Sequence, residues 1–124
     1  MTARACLFIA AILLAMAVAL GAFGAHALKT RLTADMLAVY QTAVQYHAWH
    51  GLGLLAVGVL MLQWPESTAL RWSAGLLLAG VLIFSGSLYA LAVSGVRWLG
   101  AVTPIGGAAF IAGWLMLALA VLKR

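Results

Sequence analysis

Acidic residues are almost missing from this chain. Among 124 residues only Asp35 and Glu66 carry a carboxylate, and charged residues of both signs make up 7%. A soluble domain usually carries about a quarter. So small a charged inventory does not build a water-facing surface, which excludes an ordinary soluble domain and leaves lipid as the solvent. It also excludes self-contained hydrolase or transferase chemistry, because no nucleophile–base–acid set can form when both acids lie in connecting segments. Carboxylate-coupled antiport has no residue to run on. Cysteine is nearly absent too: Cys6 alone cannot form an intrachain disulfide. Cys6 precedes an apolar run instead of following it, unlike a lipoprotein cysteine, and is expected to face lipid as a small apolar residue. The net charge of +5 does not amount to a nucleic-acid surface. Its sources (Arg4, Lys29, Arg31, Arg71, Arg97, Lys123 and Arg124) are scattered over the ends of apolar runs, as headgroup anchors are.

What the chain has is apolar length, with 67% of its residues hydrophobic. Four runs, 6–25, 46–64, 70–92 and 103–122, each approach the ~20 residues a membrane-crossing helix needs. Apart from Arg71 at the edge of the third, none contains a charged residue. Without water to pair the backbone, each must be helical. Pro65 ends the second run, and residues 94–100 form another short turn. The expected fold is therefore an all-α membrane protein, a single domain over 1–124 with four transmembrane helices in two antiparallel hairpins. Residues 33–45 are expected to lead into the second span as an amphipathic interfacial helix. Thr33 caps it, Asp35 sits in its first turn, Met36, Tyr40, Ala43 and His47 form one stripe, and Gln41 and Gln45 lie on a more polar side. The same segment could serve as a lid over the bundle or a docking surface.

Small residues recur at helical spacing: Ala17, Gly21 and Ala25; Gly51 and Gly58; Gly86 and Ala90; Gly106 and Gly113. They are expected to let helices approach closely in lipid. Arg4 and Ala25-His26-Ala27 resemble the start and cleavage site of a signal peptide, but the apolar run is long for one, so it is expected to stay as a span. Arg4, Arg71, Lys123 and Arg124 fall on one side of such a bundle and Lys29, Arg31 and Arg97 on the other, so both termini are expected in the cytoplasm.

The polar residues collect at one depth, on the face opposite the termini. His26 ends the first run, His47 and His50 open the second, Ser85, Ser87 and Tyr89 end the third, and Arg97, Thr103 and Pro104 precede or open the fourth. The three histidines read first as interfacial hydrogen-bonding residues; zinc or copper binding, haem ligation and proton relay are the rivals. At 103–107 (TPIGG), Thr103 would cap a helix and its free first-turn amides, with Arg97 near, could hold a lipid phosphate or a quinone carbonyl. Ser85 and Ser87 would bond back to their own helix or to a neighbour.

The stretch 20–29 (LGAFGAHALK), Tyr46 and His50, 84–89 (FSGSLY), Arg97, Gly100, 103–107, Phe110 and Gly113-Trp114 together resemble the small bacterial inner-membrane family known as domain of unknown function 423, related to animal transmembrane protein 256. The resemblance covers essentially the whole chain. It implies four spans and supplies no catalytic residues. It also implies that His26 and His50 fall on motif positions, whereas His47 stands where the family more often has Gln, which tells against a three-histidine metal site.

The expected function is non-enzymatic: an accessory or assembly subunit of an inner-membrane complex, or a small homo-oligomer. The alternative is a lipid-, quinone- or haem-binding module built from His26, His50, Tyr46, Lys29, Ser87, Tyr89, Arg97, Thr103, Gly106 and Gly107. A channel or transporter for a small solute is the third reading, and it has no pore-lining polarity through the full bilayer thickness.

Overall fold

Three hydroxyl side chains start three of the helices. Thr2, Thr33 and Ser67 accept the backbone N–H of Ala5, Met36 and Leu70, each satisfying one of the unpaired amides of a first turn. The computed structural model describes residues 1–124, and all of its regular structure is helical. It forms four rods: α1 (Ala3–Leu28), α2 (Ala34–Gln63), α3 (Thr68–Ser94) and α4 (Arg97–Leu122). α2 stops at Gln63 because Pro65 follows two residues on. α3 stops at Gly95, whose φ of 72° is the left-handed cap that glycine adopts without strain.

α1, α3 and α4 are each long and apolar enough to cross a membrane. α2 is the longest α-helix at 30 residues, but Gln41, Gln45, His47 and His50 dilute its apolar character and set it apart from the other three. It runs unbroken from the Thr33 cap, so residues 33–45 and the run after them belong to one helix.

Two rods carry irregular turns. α1 ends in a π-helical turn, Gly24–Leu28, and α3 contains another, Val81–Ser85. Such turns widen the helix by one residue and loosen its hydrogen-bond ladder, and they recur at functional sites. α4 opens with a 3-10 turn, Arg97–Ala101.

Glycines set how the rods meet. On α2, Gly58 receives Leu7 and Cys6, and Gly51 receives Leu14; on α1, Gly21 receives Val44, and Gly24 receives the Tyr40 ring. Between α3 and α4, Gly113 receives Leu77, Gly80 receives Phe110, and Gly106 lies directly against the Phe84 backbone. At all of these but Gly21, where the contact of 3.4 Å is ordinary packing, a side chain would force a neighbour to shift, so they do act as packing positions. Gly86 does not: nothing lies within 4 Å of where its Cβ would be. All four rods contribute to one core, with Cys6, Leu54, Val57, Leu70, Leu77 and Phe110 at its centre.

Cys6 corrects an expectation. It is 0% exposed, and its Sγ–H donates to the Leu54 carbonyl at 3.3 Å. Gly58 leaves room for the sulfur on that side, so the thiol turns inward rather than to lipid.

Candidate functional site

Between α1, α2 and α3 lies the densest set of polar side chains in the fold. Tyr40, Ala43, His47 and His50 follow one another at helical spacing on α2, and all four are buried. Gln41 and Gln45 are exposed on the other side of the same helix. α3 answers with Ser85, Ser87 and Tyr89, which its π turn and the helix after it direct inward and across.

Each hydroxyl has found an oxygen or nitrogen. Ser85 Oγ–H donates to the Ala43 carbonyl at 2.8 Å, tying α3 to α2. Tyr40 donates to the Leu20 carbonyl at 2.5 Å, where the π turn of α1 begins to shift the ladder. The Ser87 and Thr103 hydroxyls hydrogen-bond to each other with oxygens 2.6 Å apart, joining α3 to α4. Farther along the bundle, Ser73 donates to the Gly113 carbonyl at 2.8 Å. Tyr89 meets Tyr40 edge-on, with ring centroids 5.4 Å apart.

The two α2 histidines are held differently. His50 Nδ1 lies 2.7 Å from the Tyr46 carbonyl one turn back, so it carries the proton. Its ring stacks on Phe110 at 3.5 Å between centroids, and Tyr46 stacks on Phe84 at 4.5 Å. His47 is 2% exposed, with Nδ1 2.9 Å from the Tyr89 hydroxyl. That hydroxyl makes no other hydrogen bond, so it and Nδ1 pair with each other alone, and the imidazole tautomer sets which of them donates. His47 Nε2 is the one buried side-chain nitrogen or oxygen with no partner. On the α1 side His47 faces the Leu13 backbone.

The other residues expected at the site separate. His26, Lys29 and Arg97 are exposed, and Tyr46 and Gly107 are half-buried. Gly106 is buried, filled by the Phe84 backbone rather than open to a ligand. No group of three or more His, Cys, Asp or Glu side chains lies together, and exposed His26 at the end of α1 stands apart from buried His47 and His50. Thr103 does not cap α4 through its side chain: its hydroxyl faces Ser87, and the 3-10 turn before it supplies carbonyls to the following amides, as Leu99 does for Val102 and Val102 for Ile105. The free amides expected for an anion there are therefore largely spent. Sequence reasoning set His47 aside; its place on the stripe with Tyr40 and Ala43 was the signal that it is buried.

Apolar rods long enough for a bilayer, capped by hydroxyls and tied together by hydroxyl-to-carbonyl bonds, define an all-helical integral membrane protein. Residues 20–107 match the model of a family described as a protein of unknown function, DUF423, and the chain belongs to that family. A UPF0382 membrane protein of Staphylococcus saprophyticus is 49% identical over 108 residues, covering 87% of this chain and 88% of its own. The UPF0382 membrane protein YwdK of Bacillus subtilis is 44% identical over 108 residues, again covering 87% and 88%. The UPF0382 inner membrane protein YgdD of Escherichia coli K12 is 44% identical over 117 residues, covering 94% of this chain and 88% of that one. The chain is thus an inner-membrane protein of this family. No solved structure matches it.

Proposed function

We propose that this chain works by association, as an accessory or assembly subunit of an inner-membrane complex or as a small homo-oligomer, and performs no chemistry of its own. The observation that carries this reading is the outer face of α1. Ala11, Ala15, Ala19 and Ala22 are all exposed there at three- and four-residue spacing, while the small residues on the opposite side, Ala10 and Ala17, are already buried against the bundle. A small-residue stripe that this chain leaves open is the surface on which a second helix packs closely in lipid. The interior hydroxyls of Tyr40, Ser73, Ser85, Ser87 and Thr103 are engaged in structural bonds.

In this reading the chain crosses the bilayer four times as two antiparallel helix pairs, with both termini in the cytoplasm. Support comes from the order of contacts along α1 and α2, where Leu7 meets Gly58, Leu14 meets Gly51 and Val44 meets Gly21. At 1.5 Å per residue a helix of 30 residues is about 45 Å long, well beyond a ~30 Å hydrocarbon layer, so the first turns of α2 lie at the interface. A periplasm-dependent reporter fused to the C-terminus should stay inactive; activity would reverse the orientation.

The test of the association is native mass spectrometry of protein released from its own membrane in mild detergent. Additional copies or subunits are expected, and replacing Ala15 and Ala19 with Leu should remove them. A lone monomer from gently solubilised membranes overturns the reading.

A further inference from the structure

At the end of the bundle where α1 starts lies a groove of about 460 Å³. Thr2 and Ala3 line it from α1, Met61 and Pro65 from the end of α2, and Glu66 and Arg71 from the turn and the start of α3. Glu66 is one of two acids in a chain with seven cations. Asp35, the other, sits in the first turn of α2 at the opposite end. Glu66 shares its own end with Arg4, Arg71, Lys123 and Arg124, yet it forms no ion pair. Arg71, on the same groove, instead donates to the Pro65 carbonyl at 2.7 Å. A carboxylate and a guanidinium that line one groove without meeting leave both charges to an outside partner, and a partner that answers both is itself zwitterionic. Thr2 Oγ accepts the Ala5 amide and keeps its own O–H to donate.

The surface below the groove is built for a chain. α1 and α3 both run antiparallel to α2, as Leu7 on Gly58 and Leu14 on Gly51, and Tyr46 on Phe84 and Tyr40 on Tyr89, show. They are therefore parallel to each other. Arg71, Gly75, Leu78 and Leu82 follow at four- and three-residue spacing on one face of α3, and none of them is buried. At Gly75 nothing lies within 4 Å of where a Cβ would be. Ten residues along each helix, from Ala3 to Leu13 and from Arg71 to Val81, α1 and α3 enclose a cavity of about 160 Å³. Its wall is apolar: Leu13 and Leu20 from α1, Val81 and Gly86 from α3, with Met16 and Leu82 at a rim that opens sideways to lipid. His47 and Tyr89 complete it, and their Nδ1 and hydroxyl pair with each other. Ten residues of helix span about 15 Å, half of a ~30 Å hydrocarbon layer, which is the depth an acyl chain reaches from its headgroup. An apolar cavity of about 150 Å³ stays dry and takes up a six-carbon ring, so this one takes about six carbons of a chain.

We propose that groove and cavity together hold one membrane phospholipid whose headgroup carries a primary ammonium beside its phosphate. Glu66 takes the ammonium, Arg71 and Thr2 take the phosphate, and one acyl chain runs down the open face of α3 into the cavity. The site is independent of the association proposed above, since neither groove nor cavity is lined by the exposed alanines of α1.

The experiment takes full-length protein, delipidated in mild detergent, and titrates it with one phospholipid at a time, counting bound lipid by native mass spectrometry. Phosphatidylethanolamine is the matching probe. Phosphatidylglycerol keeps the phosphate and removes the cation; phosphatidylcholine keeps both charges and removes the N–H donors. With acyl chains matched, phosphatidylethanolamine should bind about two- to fivefold more tightly than phosphatidylglycerol, as an exposed ion pair provides, with phosphatidylcholine between them. Glu66→Gln, at an exposed position, should erase that margin without weakening phosphatidylglycerol. Gly86→Leu adds a side chain at the cavity, with nothing within 4 Å of its Cβ, and should weaken all three lipids while keeping their order. Thermal unfolding of each variant, measured in parallel, should stay cooperative. Equal binding of the three lipids, a preference for phosphatidylglycerol, or a margin that survives Glu66→Gln overturns the headgroup assignment. Lipid binding untouched by Gly86→Leu overturns the placement of the chain. A Glu66→Gln change that alters the number of copies in the complex and not the lipid bound gives the groove to a protein partner and overturns the proposal.

Discussion

Gly106→Ala is the substitution for which this packing makes its sharpest demand. A Cβ at that position would lie 2.7 Å from both Cα and Cβ of Phe84. Carbon atoms pack at about 3.5–4.0 Å, so α4 must retreat from α3 by roughly 1 Å. Rotating a side chain does not relieve the clash, because the obstacle is backbone. Overpacking of this kind costs ~1–3 kcal/mol. The retreat also stretches the Ser87–Thr103 bond, now 2.6 Å, and the Ser73–Gly113 bond, now 2.8 Å, each worth about 0.6 kcal/mol in a membrane bundle. Alanine returns up to about 1 kcal/mol through its better helix propensity. The balance is a destabilisation of roughly 1–3 kcal/mol.

The control is Gly75→Ala on α3, where nothing lies within 4 Å of the new methyl group. There the propensity gain stands alone, and stability should rise by up to about 1 kcal/mol. Equilibrium unfolding in mixed mild-detergent and SDS micelles, followed by circular dichroism, compares the two variants under one condition. The expected gap is roughly 1–4 kcal/mol with Gly106→Ala the weaker. If the two variants unfold together, α3 and α4 are not in the contact described, and the account of the glycines as packing positions fails with them.

Further outcomes follow from the same contacts. Cys6, being 0% exposed, should resist a small maleimide in the folded protein and label fully once SDS unfolds it; rapid labelling of the folded form would put the thiol back in lipid or water. Ser85→Ala removes the clamp on the Ala43 carbonyl and should cost ~0.6 kcal/mol, up to ~1.7, in the same unfolding assay. Tyr40→Phe should cost a similar ~0.6–1.7 kcal/mol by freeing the Leu20 carbonyl. Gly24→Leu should cost more than Tyr40→Phe, because even a Cβ there would meet the Tyr40 ring, 2.9 Å from Cδ1; equal losses would mean the ring can turn aside freely.

Much of this arrangement can be read from residue spacing, and what cannot be read depends on how one helix is set against another. The stripe of Tyr40, Ala43 and His47 is periodic on a single helix, so its burial follows from sequence alone. The Thr33 cap is equally local. Gly51, Gly58, Gly106 and Gly113 announce close approach by their size, although not which residue approaches. Gly86 has the same signature and lines a cavity instead, because the π turn before it moves its neighbours. No motif in 81–85 (VLIFS) marks that turn. Thr103 precedes a proline, a common pattern at helix starts, yet the 3-10 turn upstream satisfies the amides a cap would have served and leaves the hydroxyl to Ser87. The histidines divide on the same ground: His26 and His50 drew attention by their motif positions, whereas the histidine that joins α2 to a side chain of α3 is His47.

That division bears on where function resides. Tyr40, Ser73 and Ser85, and the thiol of Cys6, all give their proton to a backbone carbonyl on a neighbouring helix. Those carbonyls lie within helices, where a second lone pair is free to accept, so each clamp joins two rods without breaking either ladder. In lipid such clamps hold helices together where the hydrophobic effect does not. A polar group serving only that purpose is satisfied by the fold. His47 is held differently, paired at Nδ1 with the Tyr89 hydroxyl of α3. Phenylalanine at 47 would remove the imidazole but leave the Tyr89 hydroxyl without its only partner, a cost of ~1–3 kcal/mol. His47 thus ties α2 to α3 through Tyr89, as the hydroxyl clamps do through carbonyls, with its far side turned to the Leu13 stretch of α1.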